Sequence, residues 1–198
     1  MPKKVNQKYF FKDFPDFKPN LSPKYIIHNG FGGGYFRKIK SPKTGKTYKN
    51  RWKLLPKSWF AGLDPETEIE SQKYDKDFNK YKVKCGASYE YWISKGWINE
   101  KIDPCGWFEW YCHTFQGRRT KDDTRQINRW LKLAGPRGRF RSNLCGQIWA
   151  RAKKNYSTAL KLVDDYSISP VIRQTLLHWG YELTKKDFKE YCKYKKYI

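Results

Sequence analysis

Arg125, Arg129 and Lys132 stand at i, i+4 and i+7, a spacing that puts three cations on one face of a helix. Ile127, Trp130, Leu131 and Ala134 take the nearly opposite face, which predicts a buried stripe on one side and a basic ridge on the other. Arg118 and Arg119 precede this segment. Arg137, Arg139 and Arg141 follow it, around the breaker Gly135-Pro136 and Gly138. Guanidinium forks and the backbone N–H groups of such a turn suit phosphate oxygens. Residues 117–154 hold 12 basic and 2 acidic side chains, so local pairing such as Asp122 with Arg125 cannot neutralise them. Phosphate binding is preferred to a merely solvated face.

A second basic block, residues 1–57, carries 15 basic and 2 acidic side chains, most of the basic ones Lys. The turn-forming run Ser41-Pro42-Lys43-Thr44-Gly45-Lys46 predicts a β-hairpin over residues 34–52, bearing Lys38, Lys40, Lys43 and Lys46. Lys acts as a hydrated point charge and Arg as a planar bidentate donor. The Arg block is therefore expected to fix orientation and the Lys block to add electrostatic affinity. Aromatic rings here could stack on unpaired bases, but anchoring the segment to the core is their plainer role.

Catalytic and metal signals are weak. Thr44-Gly45-Lys46-Thr47 resembles the end of a phosphate-binding P-loop, yet Lys40 stands where that motif needs Gly. Gly30-Phe31-Gly32-Gly33-Gly34 lacks dinucleotide-binding spacing and is expected only to free the backbone. Cys105, Cys112, His113 and Cys85 do not follow common zinc spacings, so packing is preferred. Asp122 and Asp123 are the acidic pair nearest the Arg block. With Glu109 they define the alternative of a metal-dependent nuclease, although capping explains Asp123 more simply. A fold could still assemble Glu109, Asp122 and His178 without any sequence signature. No catalytic residue, metal or cofactor is assigned, and nucleic-acid substrates are expected to survive Mg²⁺, Mn²⁺ or Zn²⁺ intact.

Composition supports a binding role. The chain has 198 residues, 42 Lys and Arg against 19 Asp and Glu, and 36 aromatic residues. Disordered basic tails are poor in aromatics, so this is a folded chain with a positive surface, which calls for a polyanion. Residues 58–116 are slightly acidic, with 7 basic and 10 acidic side chains, and separate the two blocks. Five irregularly spaced Cys do not suggest a disulfide framework, so reduced thiols in the nucleus or cytoplasm are expected. The start, Met1 to Lys8, does not read as a secretory signal, and no run approaches a membrane span. DNA is the expected partner, duplex first and RNA second, with no membrane.

The runs Phe31-Gly32-Gly33-Gly34-Tyr35-Phe36-Arg37, Gly106-Trp107-Phe108-Glu109-Trp110-Tyr111-Cys112, Gly117-Arg118-Arg119 through Arg125-Gln126-Ile127, and Ser167 to Gln174 carry a resemblance. They are similar to a family of small basic, Trp- and Tyr-rich proteins of large DNA viruses and some protists and algae. The resemblance spans roughly residues 14–190 and implies one integrated domain in a viral or protist setting, with virion association as one possibility. It brings no activity and no catalytic residue.

The elements that must hold these residues make an α+β fold, mainly α. Residues 1–29 read as a basic aromatic arm, 30–63 as the hairpin and its connection, and 64–198 as a mainly helical region integrated with 30–63. Residues 64–80 read as a long loop or linker. Helices are predicted from Ser88 to Lys95, from Asp103-Pro104 to Gly117, after Thr120, through Phe140 to Ala152, from Ser169-Pro170 to Gly180, and after Thr184. Thr120 with Asp123 and Thr184 with Asp187 resemble capping boxes.

Overall fold

Short polar side chains start the helices by accepting from backbone N–H groups that have no partner inside the helix. Ser22 caps α1 (Pro23–Asn29), Ser88 caps α2 (Tyr89–Ser94), Asn155 caps α6 (Tyr156–Leu162) and Thr184 caps α8 (Lys185–Tyr194). The remaining helices are α3 (Trp107–Phe115), α4 (Asp123–Leu133), α5 (Arg139–Arg151) and α7 (Pro170–His178). These are features of a computed structural model that describes residues 1–5 and 8–198. Asn6 and Gln7, part of the expected arm and of the leader reading, lie outside the described residues.

Among the described residues, strand is confined to two antiparallel pairs. β1 (Lys3–Val5) pairs with β2 (Lys8–Phe10), Lys4 opposite Tyr9. β3 (Ile39–Lys40) pairs with β4 (Thr47–Tyr48), the hairpin expected between residues 34 and 52. The fold is thus α+β and mainly α.

Helix α5 is the hub, packing against α4, α6, α7 and α8. The first residues belong to this core. Phe17 is fully buried, its ring 5.7 Å from that of Trp110 and 5.1 Å from that of Trp130. Lys8 Nζ meets the buried carboxylate of Asp187 at 2.7 Å, and Arg141 Nη2 lies 3.1 Å from the same group. Tyr181 Oη and Thr184 Oγ1 both donate to Asp187 Oδ2 at 2.9 Å. Burial alone would raise the Asp187 pKa, but Arg141 and Lys8 more than offset it and hold it below the usual range.

Three sequence expectations need correction, and a fourth, left as two alternatives, is decided. Residues 23–29 are helical rather than extended, because Ser22 caps and Pro23 fills the first helical position. The helix expected at Asp103 begins at Trp107, since Gly106 adopts φ +91° and the Asp103 carboxylate bonds Arg118 instead of capping. Helix α6 was not expected. Of the two readings of residues 64–80, loop and linker, the loop holds: it has short helical turns at Pro65–Ile69 and Lys76–Phe78 and is anchored where Ile69 is buried and its carbonyl accepts from Phe36 N–H at 3.1 Å. A Cβ on Gly34 would fall 1.9 Å from the Ser71 carbonyl oxygen, which explains a glycine there.

Candidate functional site

Helix α4 has the expected inner face, with Ile127, Trp130 and Ala134 buried. Its outer face is less free than the spacing implied. Arg125 donates through Nε and Nη2 to Asp122 at 2.6 and 2.8 Å and through Nη1 to the carbonyls of Gly96 and Trp97. Arg129 donates to Trp97 O and Gln126 Oε1, both at 2.8 Å, and lies between the rings of Trp97 and Trp179. Burial and the neighbouring Arg125 pull the Arg129 pKa down to about 10, which leaves it charged at neutral pH. Both side chains therefore clamp α4 to the 96–97 segment instead of forming a freely projecting ridge.

The other predicted residues divide by burial and partner. Arg141 is 3% exposed and belongs to the Asp187 cluster, so its guanidinium is out of a ligand's reach. Arg118 holds Asp103 at 2.6 Å and Arg119 holds Asp13 at 2.9 Å. Lys38, Lys40, Lys43, Lys46, Lys132, Arg137 and Arg139 are exposed, and among the described residues none has an acidic partner within 4.0 Å.

Sequence reasoning passed over the surface that Arg137 joins. Its guanidinium lies 4.6 Å above the ring of Tyr194 at the end of α8. Lys186, Lys189 and Lys193 are exposed at i, i+3 and i+7 on that helix, opposite buried Phe188, Tyr191 and Cys192. Tyr197 stacks on Trp149 at 4.4 Å, and exposed Lys153 and Lys154 follow α5 directly. The α8 spacing was the available signal. Here cations and exposed aromatic rings share one region, the combination that suits phosphate contact beside base stacking.

Next to the β3–β4 hairpin lies an open cleft of about 310 Å³. Lys46, Lys49, Arg51 and Lys101 line it, with Glu100 as the acidic member. Arg51 Nε reaches through to Glu109 Oε1 at 2.6 Å, and Glu109 Oε2 accepts from Cys105 N–H at 2.8 Å.

Glu109 belongs to a group that sequence reasoning did not assemble. A carboxylate oxygen each from Asp103 and Glu109 and a ring nitrogen of His113 lie within 4.8 Å of one another. Burial raises the pKa of both carboxylates, opposed mainly by Arg118 at Asp103 and by Arg51 at Glu109. Burial, Arg118 and Arg51 depress the His113 pKa to about 4, so its imidazole is neutral at pH 7. The grouping of Glu109 with Asp122 and His178 that the sequence left open is not formed. Asp122 is committed to Arg125 and Gln126, and Asp123 accepts from Trp110 Nε1 at 2.8 Å. His178 Nδ1 lies 3.6 Å from Cys85 Sγ, with Phe31 stacked on the ring at 4.3 Å. All five cysteines are free thiols, and no described helix is long and apolar enough to cross a membrane. Comparison of the chain with family models, curated proteins and solved structures finds no match.

Proposed function

We propose that this protein binds nucleic acid, duplex DNA ahead of RNA, chiefly through backbone phosphates. One observation carries the reading. Among the described residues only eight of the 42 Lys and Arg have an acidic partner within 4.0 Å, which leaves 34 without one. A charge this large is costly to keep unless a polyanion answers it. The hairpin lysines, the Lys132–Arg139 turn and the outer face of α8 are the surfaces that would meet phosphate.

A packaging or virion role is the second reading, in the viral setting that the resemblance implies. The spread of free cations over the hairpin, the α4–α5 turn and α8 favours contact with any duplex over reading of one site. The enzymatic alternative, a metal-dependent nuclease, would rest on Asp103, Glu109 and His113 rather than on Asp122 or Asp123. The protein is expected to work inside the cell, in nucleus or cytoplasm.

Fluorescence anisotropy with duplex DNA, single-stranded DNA and RNA, in EDTA and across a salt series, tests the proposal. With about 5–8 phosphate contacts the log–log salt slope on duplex is expected at about −4 to −7. A slope near zero, or no binding at low salt, refutes it. Equal affinity for random duplexes supports the packaging role.

A further inference from the structure

The cluster of Asp103, Glu109 and His113 has an oxygen that the protein leaves unanswered. Asp103 is 1% exposed and Glu109 fully buried. Arg118 bonds Asp103 Oδ2, yet Asp103 Oδ1 is buried and accepts no hydrogen bond from the described residues. Buried acceptors are rarely left this way, and an orphan one implies a missing partner. Arg118 Nε is a second buried atom without a partner, and the His113 ring, whose nitrogens make no hydrogen bond among the described residues, lies within 4.8 Å of the two carboxylates and offers a nitrogen donor.

We propose that Asp103, Glu109 and His113 bind one divalent transition-metal ion, with further coordination positions left for water or a phosphate oxygen. Two carboxylate oxygens and one imidazole nitrogen are a donor set such ions accept. Donors sit about 2.0–2.2 Å from such an ion, so two on opposite sides stand about 4.4 Å apart. Donors at tetrahedral or cis angles stand closer, about 3–3.6 Å apart, so the group, now within 4.8 Å, must contract when the ion enters. The supporting shell is in place, since Arg51 and the Cys105 N–H orient Glu109 while Arg118 orients Asp103. Both arginines are partly exposed, at 24% and 30%, so their outer N–H groups can meet an incoming anion while they keep the carboxylates. The basic cleft beside Arg51 is where that anion would lie. Metal binding stands independently of nucleic-acid binding.

The probe is Mn²⁺, because the five thiols would compete for Zn²⁺. Metal-free, untagged full chain is titrated with Mn²⁺ by calorimetry and by electron paramagnetic resonance, without nucleic acid. One equivalent is expected to bind, with hyperfine coupling to an imidazole nitrogen. His113→Gln is expected to lower the affinity at least about tenfold, since even supporting residues of metal sites contribute that much. His113 is partly exposed and unbonded, so this variant should melt like the parent in EDTA; Asp103→Asn serves as a second variant. No binding up to about 1 mM, the weak end of specific sites, overturns the proposal. So does equal affinity in His113→Gln. DNA binding measured in EDTA is untouched by either failure.

Discussion

Replacing Lys132, Arg137 and Arg139 together with Ala removes three of the free cations from one short stretch of chain. If each meets a phosphate, the salt slope on duplex DNA shrinks by about 0.9 per contact, or about 2.7 in all. An expected parent slope of about −4 to −7 then becomes about −1 to −4. Near 0.1 M salt the same counterion term corresponds to roughly a two- to three-decade loss of affinity. The fold should survive, because these side chains are exposed and bond no acid. Arg137 lies over Tyr194 and Arg139 over Phe140, 4.6 and 4.7 Å from the ring centres. Exposed cation–π contacts contribute about 0.5–1 kcal/mol each. A destabilisation of about 1–2 kcal/mol follows, or about 2–8 °C in melting temperature for a chain of this size. Anisotropy across a salt series and a thermal melt read the two effects separately. The control removes equal charge elsewhere, at exposed Lys24, Lys57 and Lys76. If the control lowers the slope as much, or if the Lys132/Arg137/Arg139 variant keeps the parent slope, this turn does not contact phosphate.

Trp130→Ala should cost about 3–5 kcal/mol in denaturant unfolding, since the ring is 1% exposed and its Nε1 donates to Trp179 O at 2.7 Å; a change under about 1 kcal/mol would contradict its place in the core. Arg125→Ala with Arg129→Ala should lose about 1–3 kcal/mol of stability through the freed 96–97 carbonyls and Asp122, measured by the same unfolding, and an unchanged midpoint would show that the clamp carries no weight. Asp187 has a depressed folded pKa, so its contribution is present above the unfolded value near 3.9 and is lost as pH falls through the folded value. Acid unfolding should therefore steepen below about pH 4, and Asp187→Asn should be less stable at pH 7 with a flatter acid limb. A thiol reagent should label the native protein slowly and only at Cys85, whose pKa burial pushes up to about 11, while all five react after denaturation; fast labelling at a second cysteine would contradict the buried positions of the others.

Local periodicity carried α4, α5, α7 and α8, where an apolar stripe coincides with a cap or a glycine stop. Helix α1 was missed although Ser22-Pro23 repeats the signal recognised at Ser169-Pro170, because the surrounding Lys, Pro and Phe read as an arm. Helix α6 places Tyr156, Ala159, Leu160 and Val163 at i, i+3, i+4 and i+7, yet it has only two turns and sits beside a basic run. Spacing located the basic block but could not foresee that Arg125 and Arg129 would satisfy backbone carbonyls 28 to 32 residues away. Nor could it foresee that Arg141 would neutralise Asp187. Glu109 and His113, one helical turn apart, were open to recognition as neighbours. Arg51, which fixes Glu109 across 58 residues, was not.

The Lys8–Asp187 bond spans 179 positions, and that span orders events during synthesis. At about 5–20 residues per second the ribosome makes Asp187 roughly 9–36 s after Lys8. Until then Lys8 and Arg141 have no counterion, and the arm that carries Phe11 and Phe17 lacks its final anchor. The last anchor of the arm therefore forms only after nearly the whole chain has been made.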